Sequence, residues 1–343
     1  MKPGVLLIRA DASLAIGTGH VMRCLALAQA WQDAGGTVSL VVAELPDALL
    51  LRVTAEGVSL SRVHASPGGP EDAGETVAQA RRLRADWIVI DGDRFGSDFL
   101  ETVRAAGFRV LLIDDFADRE SFPADLIVNP NLDDDGEPYR KRGATARLLM
   151  GPSYVLLRRE FRQGAGKREI RQTGNRILVT LGGSDPENLT PKIADALARC
   201  SDLEVTAIAG AGYDKADELR KLNASNLRIV FNPPSIAQFM NGSDQAIIAA
   251  GGTLWELLSM GCAGLSYSRN IVQTRVVQVL SHRGVVVDMG ETRHFDPAKL
   301  VVSVKELVDS HKARERMTTL GRMLVDGMGT IRVVEAAQQS EVQ

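Results

Sequence analysis

Gly17-Thr18-Gly19-His20 sets an imidazole in a glycine turn, after an apolar run over residues 5–8 and before apolar residues at helical spacing, Val21, Cys24, Leu25, Ala28 and Trp31. A strand that turns on glycines into a helix places its loop at the carboxyl end of a parallel sheet, where open α/β sheets bind ligands. A histidine there is a candidate general base, since imidazole takes a proton near neutrality. The unpaired N–H groups and positive end of the helix disfavour imidazolium and would keep that base free. Asp11 lies on the same loop and could orient the ring. Arg23 shares the helical face of His20 and could clamp an anion or pair with Asp11. The structural alternative for His20 is a helix-capping hydrogen bond.

Three further groups of residues could do chemistry. Asp91-Gly92-Asp93 has the D-x-D form by which some glycosyltransferases hold a metal and a nucleotide diphosphate, although carboxylates at strand ends often only cap the next helix. Gly182-Gly183-Ser184-Asp185 and Gly251-Gly252-Thr253 are glycine loops that each follow an apolar run and precede a helical pattern. Their backbone N–H groups suit a diphosphate. Thr253 could cap its helix and donate to a phosphate oxygen, and Glu256 could accept from ribose hydroxyls; a capping box would also explain that pair. Asp133-Asp134-Asp135-Gly136-Glu137 could hold calcium or be a solvated turn.

Other motifs are weaker. Gly17-Thr18-Gly19-His20-Val21-Met22 misses the third glycine of the dinucleotide fingerprint, and Glu44 fits its acidic position poorly. No G-x-x-x-x-G-K-[ST] stretch occurs, so a P-loop is excluded. His64, His282, His294 and His311 lie in polar surroundings that surface placement explains.

These groups need a scaffold, and the chain has the composition for one. It has 343 residues, 45% of them hydrophobic and 24% charged, which suits two domains with sizeable cores. A net charge of −3 argues against a nucleic-acid partner. The N-terminal run, broken by Arg9 and Asp11, is not a signal peptide, and no stretch approaches the length of a membrane span. Cys24, Cys200 and Cys262 are scattered, which points away from a disulfide framework or zinc site and toward a reducing cytoplasm.

Strand-like runs at 5–8, 37–42, 87–90, 109–113 and 125–128 alternate with helical patterns such as 75–84 and 98–106. The alternation pauses over 151–174, where Arg158, Arg159, Arg162, Lys167, Arg168 and Arg171 suggest a solvated linker rather than an anion site. It restarts with strands at 176–181, 204–209, 227–231, 245–249, 264–267 and 285–287, helices at 188–199, 235–240 and 254–260, and a helical stretch over 312–339. This predicts two doubly wound parallel sheets with helices on both faces. The expected domains are 1–150, a linker over 151–173, 174–311, and a C-terminal helix over 312–343 that could return to the N-terminal domain. Strand ends at Asp91, Asp114 and Asn131 would share an edge with the opening loop.

The chain resembles, over nearly its whole length, the UDP-sugar hydrolases of bacterial pseudaminic-acid biosynthesis and their spore-coat-polysaccharide relatives. The resemblance rests on Arg9-x-Asp11-x-Ser13-x-x-Ile16-Gly17-x-Gly19-His20-x-x-Arg23-Cys24-Leu25; Ile113-Asp114-Asp115-x-Ala117-Asp118-Arg119; Gly151-Pro152-x-Tyr154-x-Leu156-Leu157-Arg158-x-Glu160-Phe161; Gly182-Gly183-Ser184-Asp185; and Gly251-Gly252-Thr253-Leu254-Trp255-Glu256. More distantly, the chain is similar to the GT-B glycosyltransferase that adds N-acetylglucosamine in peptidoglycan synthesis.

The resemblance implies a GT-B fold, two Rossmann-like domains facing a central cleft. It implies inverting hydrolysis with no metal and no cofactor, water attacking the anomeric carbon of UDP-2,4-diacetamido-2,4,6-trideoxy-β-L-altropyranose. The catalytic histidine of the family falls on His20, with Asp11 beside it. Arg9, Ser13, Gly17, Gly19, Arg23, Asp91 and Asp93 would face the sugar. Gly182, Gly183, Ser184, Ile236, Gly251, Gly252, Thr253, Glu256 and Gln273 would hold UDP. Two positions depart from the pattern: Asp93 stands where relatives often carry an aromatic residue, and Val272 where they carry asparagine before the glutamine. The alternatives are a GT-B glycosyltransferase with a UDP-sugar donor and a non-catalytic nucleotide-sugar-binding protein. The oligomeric state is left open, and a monomer is compatible with the sequence.

Overall fold

A computed structural model describes residues 2–13, 15–131, 135–164, 168–210 and 212–340. The chain divides into two compact units, Met1–Arg159 with Met328–Gln343, and Glu160–Gly327.

The first unit holds β1 (Val5–Ala10), β2 (Thr37–Val42), β3 (Ser59–Arg62), β4 (Trp87–Asp91), β5 (Arg109–Ile113), β6 (Leu126–Asn129) and β7 (Arg147–Met150). They form one parallel sheet in the order β3-β2-β1-β4-β5-β6-β7. Its inner strands are mostly apolar because both faces are covered, with Arg9 and Ser39 among the buried polar exceptions. Leu6, Ile8, Trp87 and Val89 face a core that includes Trp31. Leu7, Ile88 and Ile90 face the opposite core with Phe99 and Leu100. Period-two alternation therefore fills both cores from continuous apolar runs.

The second unit holds β8 (Arg176–Thr180), β9 (Glu204–Ala209), β10 (Leu227–Phe231), β11 (Gln245–Ala249), β12 (Ala263–Ser268) and β13 (Val287–Glu291), paired in parallel as β10-β9-β8-β11-β12-β13. Both sheets share the order 3-2-1-4-5-6, in which the winding reverses beside the first strand. The reversal leaves a crevice outside the strand ends, between β1 and β4 in one unit and between β8 and β11 in the other.

Three sequence expectations change. The 151–173 segment is not a solvated linker. Leu157 and Phe161 are buried, and the Arg159 backbone N–H donates to Gln29 Oε1 at 2.7 Å. Arg168 donates to the carbonyls of Met240 and Ser243, and Arg171 pairs with Asp244 at 2.8 Å. These arginines satisfy carbonyls past the end of a helix (Ala237–Gly242), so they offer no anion site. Gly166 and Lys167 of that segment lie outside the described residues.

The helical stretch over 312–339 is two helices. His311–Leu324 belongs to the second unit, and Gly329–Gln339 to the first, where Val333 and Ala337 join the Trp31 core. A Cβ on Gly329 would sit 2.4 Å from the Val155 carbonyl oxygen, so only glycine allows that approach. The third change concerns strands. β3 and β7 are edge strands with mixed polarity and lack a buried run. The expected 285–287 strand becomes β13, because Val285 and Val286 are buried in the turn before it. No helix among the described residues is long and apolar enough to cross a membrane.

Candidate active site

In the first unit the crevice between β1 and β4 is lined by the loop after each strand. The loop after β1 folds on itself: the Gly17 N–H donates to the Ser13 carbonyl at 2.8 Å and the Ile16 N–H to Ser13 Oγ at 3.3 Å. Gly17 has φ +82°, a conformation that favours glycine. A Cβ at Gly17 or Gly19 would meet nothing within 4 Å, so the turn is open above its backbone. A helix begins at Gly19 and runs to Asp33, with no side chain capping it.

His20 stands in its first turn with its side chain 16% exposed, and its Nδ1 lies 2.7 Å from Asp91 Oδ1. An ionised carboxylate only accepts, so this contact, shorter than the 3.2 Å approach of Arg23 Nη2 to the same atom, assigns the proton to Nδ1 and leaves Nε2 as the basic nitrogen. Asp91, at the end of β4, is fully buried. Arg23 Nε and Nη2 donate to its two oxygens at 2.7 and 2.6 Å, and the Cys24 thiol approaches Oδ2 at 3.4 Å. Arg23 Nη1 reaches both oxygens of Asp115, at 2.9 and 2.8 Å.

Burial alone would push Asp91 up, but Arg23 and His20 outweigh it and hold the carboxyl far below the usual carboxylate range. Burial likewise opposes imidazolium at His20, yet the charge and hydrogen bond of Asp91 prevail over burial and Arg23 and raise its pKa above 6.5. The carboxylate thus acts against the lowering expected from the helix N-terminus.

Two roles assigned from sequence move to other residues. Asp91, not Asp11, orients the ring, and Arg23 pairs with Asp91 and Asp115, not with Asp11. Asp11 belongs to a buried ion triad. Arg9, fully buried, donates to Asp11 at 2.7 Å and to both oxygens of Asp72 at 2.9 and 2.8 Å. Asp11 Oδ1 also accepts the N–H groups of Ala43 and Glu44 at 2.7 and 3.1 Å. Arg9 therefore holds the loop bases together and is not available to a sugar. Truncating it would leave two buried carboxylates without their cation. Arg9→Ala should lower the unfolding free energy by about 3–5 kcal/mol, read from urea denaturation.

The D-x-D pair divides. Both oxygens of Asp91 are taken by Arg23 and His20, which leaves no donor for a metal. Asp93 is exposed, and desolvation followed by the charge of Asp115 raises its carboxyl pKa, against the lowering influence of His20, Arg119 and Arg23. Gly92 has φ +145°, and Arg119 binds the carbonyls of Gly92 and Phe95 at 3.0 and 2.9 Å, so the Asp93 backbone is fixed on both sides. Arg119 itself pairs with Asp114, which also accepts from the Ala117 N–H and the Tyr139 hydroxyl, each at 2.7 Å. Asp133 and Asp134 lie outside the described residues. Glu44 pairs with Arg94 at 2.8 Å at the surface, away from any dinucleotide role.

In the second unit the two glycine loops meet at the crevice between β8 and β11. A Cβ on Gly182 (φ +91°) would come within 4.0 Å of Thr253 Oγ1. Gly183 and Ser184 are half-buried, and Gly251 and Gly252 are exposed with open space where a Cβ would be. A helix starts at Gly252 with Gly251 as an N-cap that offers no side-chain bond. Thr253 therefore does not cap it, and the capping-box alternative for Thr253 and Glu256 is not formed; Glu256 is half-buried and falls past the first turn.

Asp185 accepts from the N–H groups of Leu189 and Thr190 at 3.2 and 2.8 Å, a structural duty that anchors the first glycine loop. Ile236 precedes a short helix, and its carbonyl accepts from Met240 N–H at 3.1 Å. Gln273 Oε1 accepts from the Arg269 N–H while Asn270 Oδ1 accepts from the Gln273 N–H, both at 2.9 Å. This reciprocal cap gives the Gln273 side-chain oxygen a local backbone partner.

Three participants were missed in the sequence, Gly210, Gly212 and Arg269. Gly212 N–H donates to the Gly183 carbonyl at 2.8 Å, and a Cβ on Gly210 would lie 2.7 Å from Gly183 Cα. The signal was present as two glycines just after the 204–209 run. Arg269, after β12, donates to the Leu181 carbonyl at 2.8 Å and pairs with Glu187 at 3.1 Å, bracing the same loop. Nothing in its local sequence marks it.

No protein-family profile matches the chain. Among curated proteins it is 23% identical over 275 residues to an uncharacterised protein of Methanocaldococcus jannaschii, covering 77% of this chain and 55% of that one. It is 26% identical over 220 residues to the spore coat polysaccharide biosynthesis protein SpsG of Bacillus subtilis, covering 63% and 65%. It is 26% identical over 288 residues to the UDP-2,4-diacetamido-2,4,6-trideoxy-β-L-altropyranose hydrolase of Campylobacter jejuni, covering 82% of this chain and 98% of that one. The chain thus spans little more than half to two thirds of the first two relatives. Among solved structures, MurG of Acinetobacter baumannii superimposes with a TM-score of 0.63 at 17% identity, over 98% of this chain and 99% of that one. The UDP complex of S. aureus MnaA superimposes with a TM-score of 0.63 at 14% identity, over 97% and 95%. The resemblance read from the motifs thus holds over most of the chain, which is a distant relative of the spore-coat polysaccharide protein and the UDP-diacetamido-trideoxy-altropyranose hydrolase, on a GT-B fold.

Proposed function

We propose that this chain is a UDP-sugar-processing enzyme and that its reaction is inverting hydrolysis, releasing UDP and free sugar. The reference substrate is the UDP-2,4-diacetamido-2,4,6-trideoxy-β-L-altropyranose named for the Campylobacter relative, which would place the chain in pseudaminic-acid biosynthesis. The observation that carries the reading is the His20–Asp91 pair in an open glycine turn: Asp91 holds Nδ1, and Nε2 is left as the base. In the proposed step, Nε2 takes a proton from water as the water oxygen bonds to the anomeric carbon on the face opposite UDP. The anomeric C–O bond breaks and its electron pair leaves with the diphosphate. A terminal phosphate has a second pKa near about 6, so the leaving group needs little protonation. What it needs is charge stabilisation, which the backbone N–H groups at Gly182, Gly183, Gly251 and Gly252 would supply. Ser184, Thr253, Glu256 and the backbone at Ile236 are proposed to complete UDP binding, and Ser13, Gly17 and Gly19 to shape the sugar end. No step calls for a metal, and UDP release is expected to persist in EDTA.

Hydrolysis in isotopically labelled water tests the reading. Label in the sugar supports attack at the anomeric carbon; label in UDP means attack at phosphorus and overturns it. The second reading is transfer, favoured by glycosyltransferases among the structural neighbours such as the forosaminyltransferase SpnP. There an acceptor hydroxyl replaces water, and UDP release would depend on the acceptor.

Two expected outcomes follow for this chemistry. Because the pKa of His20 is raised, kcat/KM should fall as pH drops, with the acid limb centred above the ordinary value of about 6.5. Gly210→Ala would drive a methyl group into Gly183 and displace the first glycine loop. Its KM for the UDP-sugar should rise on the order of tenfold, measured by steady-state kinetics at constant pH.

A further inference from the structure

Asp93 is the anomaly of the first unit's crevice. Each of its charged neighbours is engaged. Arg23 spends Nε, Nη1 and Nη2 on Asp91 and Asp115. Arg119 is taken by Asp114 and two carbonyls, and Arg94 pairs with Glu44. Asp93 alone has no hydrogen-bond or ion-pair partner among the described residues, although it lies within electrostatic reach of His20 and Asp115. With the base neutral, Asp91, Asp93 and Asp115 against Arg23 leave this wall of the crevice two charges negative. The loop under Asp93 is pinned by Arg119 at the carbonyls of Gly92 and Phe95, so the backbone that presents the carboxylate is held in place. An unpaired carboxylate on an anchored loop, near the proposed base, suits a positive group brought by the ligand.

From this geometry we propose that Asp93 determines specificity for a sugar with a free ring ammonium. The preferred substrate class is then a UDP-linked amino sugar in which at least one amine is not acylated. The proposal rests on the UDP-sugar reading above. An N-acetyl group at that ring position offers one neutral N–H, added bulk and no charge, so it answers Asp93 less well. An interaction between a carboxylate and a charged donor corresponds to roughly 10- to 100-fold in affinity, enough to separate two sugars that differ by one acetyl group.

The test compares UDP-linked diamino-trideoxyhexoses with one amine free against their diacetamido counterparts, for the wild type, Asp93→Asn and Asp93→Ser. The readouts are kcat/KM by UDP release and Kd by calorimetry on His20→Asn, in which turnover is slowed by roughly 10²–10⁴-fold. The expected result is a roughly 10- to 100-fold preference of the wild type for the free amine, reduced about tenfold or more in both Asp93 variants. An equal loss on both sugars would mean that Asp93 serves the developing positive charge at the anomeric carbon, and would overturn the proposal. So would a wild-type preference for the diacetamido sugar. Failure of the underlying reading looks different: no UDP is released from any sugar, or His20→Asn releases it as fast as the wild type. Even then the ratio of Kd values decides the role of Asp93.

Discussion

Replacing His20 by asparagine is expected to lower the turnover of the preferred UDP-sugar by roughly 10²–10⁴-fold, the usual contribution of a general base. Asparagine keeps a side chain that can donate to Asp91, so the buried carboxylate retains part of its hydrogen bonding and the fold is expected to survive. What disappears is a nitrogen able to take a proton near neutrality. The loss should fall on kcat, because the proposed UDP contacts lie on the glycine loops of the other unit. The acid limb of the pH profile should vanish with the imidazole. Stopped assays of UDP release across pH 5–9 would check both features, and undiminished turnover in this variant would remove His20 from the mechanism.

Asp91→Asn is expected to be nearly as damaging and to act by another route. A carboxylate beside Nδ1 fixes the tautomer with Nε2 free, whereas a carboxamide can donate to Nδ1 and shift the proton to Nε2. In the Ser-His-Asp triad the same substitution lowers kcat by about 10⁴, and an effect on the order of 10³–10⁴ is expected here. The substitution also removes the main influence holding the His20 pKa up while burial continues to press it down. Any residual activity should therefore show an acid limb displaced to lower pH than in the wild type. Stability should fall as well. Arg23 would keep only Asp115 as a charged partner, and breaking a buried pair from one side costs about 3–5 kcal/mol. A thermal melt beside the rate measurement separates the two consequences: lost turnover at a temperature where the variant is fully folded belongs to the tautomer.

Much of the scaffold was legible in the residues themselves. The apolar runs at 37–42, 109–113, 204–209, 227–231 and 245–249 coincide with strands of the same bounds. Four of these are inner strands, buried on both faces, where a short apolar run is the expected signal; 227–231 is an edge strand that keeps an apolar run all the same. The edge strands β3 and β7 escaped notice for the converse reason. The Ser-Leu-Ser-Arg of β3 is exposed to solvent along part of its length and needs no apolar run. The break at 325–328, after which the chain joins the Trp31 core of the first unit, was invisible because helical periodicity continues on either side of it.

Within the candidate site, sequence by itself identified the chemical inventory: a histidine in an open glycine turn, two more glycine loops, and acidic residues at strand ends. Tertiary structure alone decided the partnerships. Asp11, nine residues from His20, was the natural guess for its orienting carboxylate, yet the ring is held by Asp91, 71 residues away. The reason is the strand order. β4 pairs directly with β1 in register from Leu6–Trp87 to Ala10–Asp91, so the crossover brings the end of β4 beside the first turn of the Gly19–Asp33 helix. Asp11 is drawn instead to Arg9 and Asp72, since a buried guanidinium demands carboxylates close at hand. Local pattern specifies which residues form a strand or a turn, and chain crossovers choose which turns are neighbours. His20 was therefore readable as a candidate base, whereas its Asp91 partner, its raised pKa and the unpaired carboxylate of Asp93 emerged only with the fold.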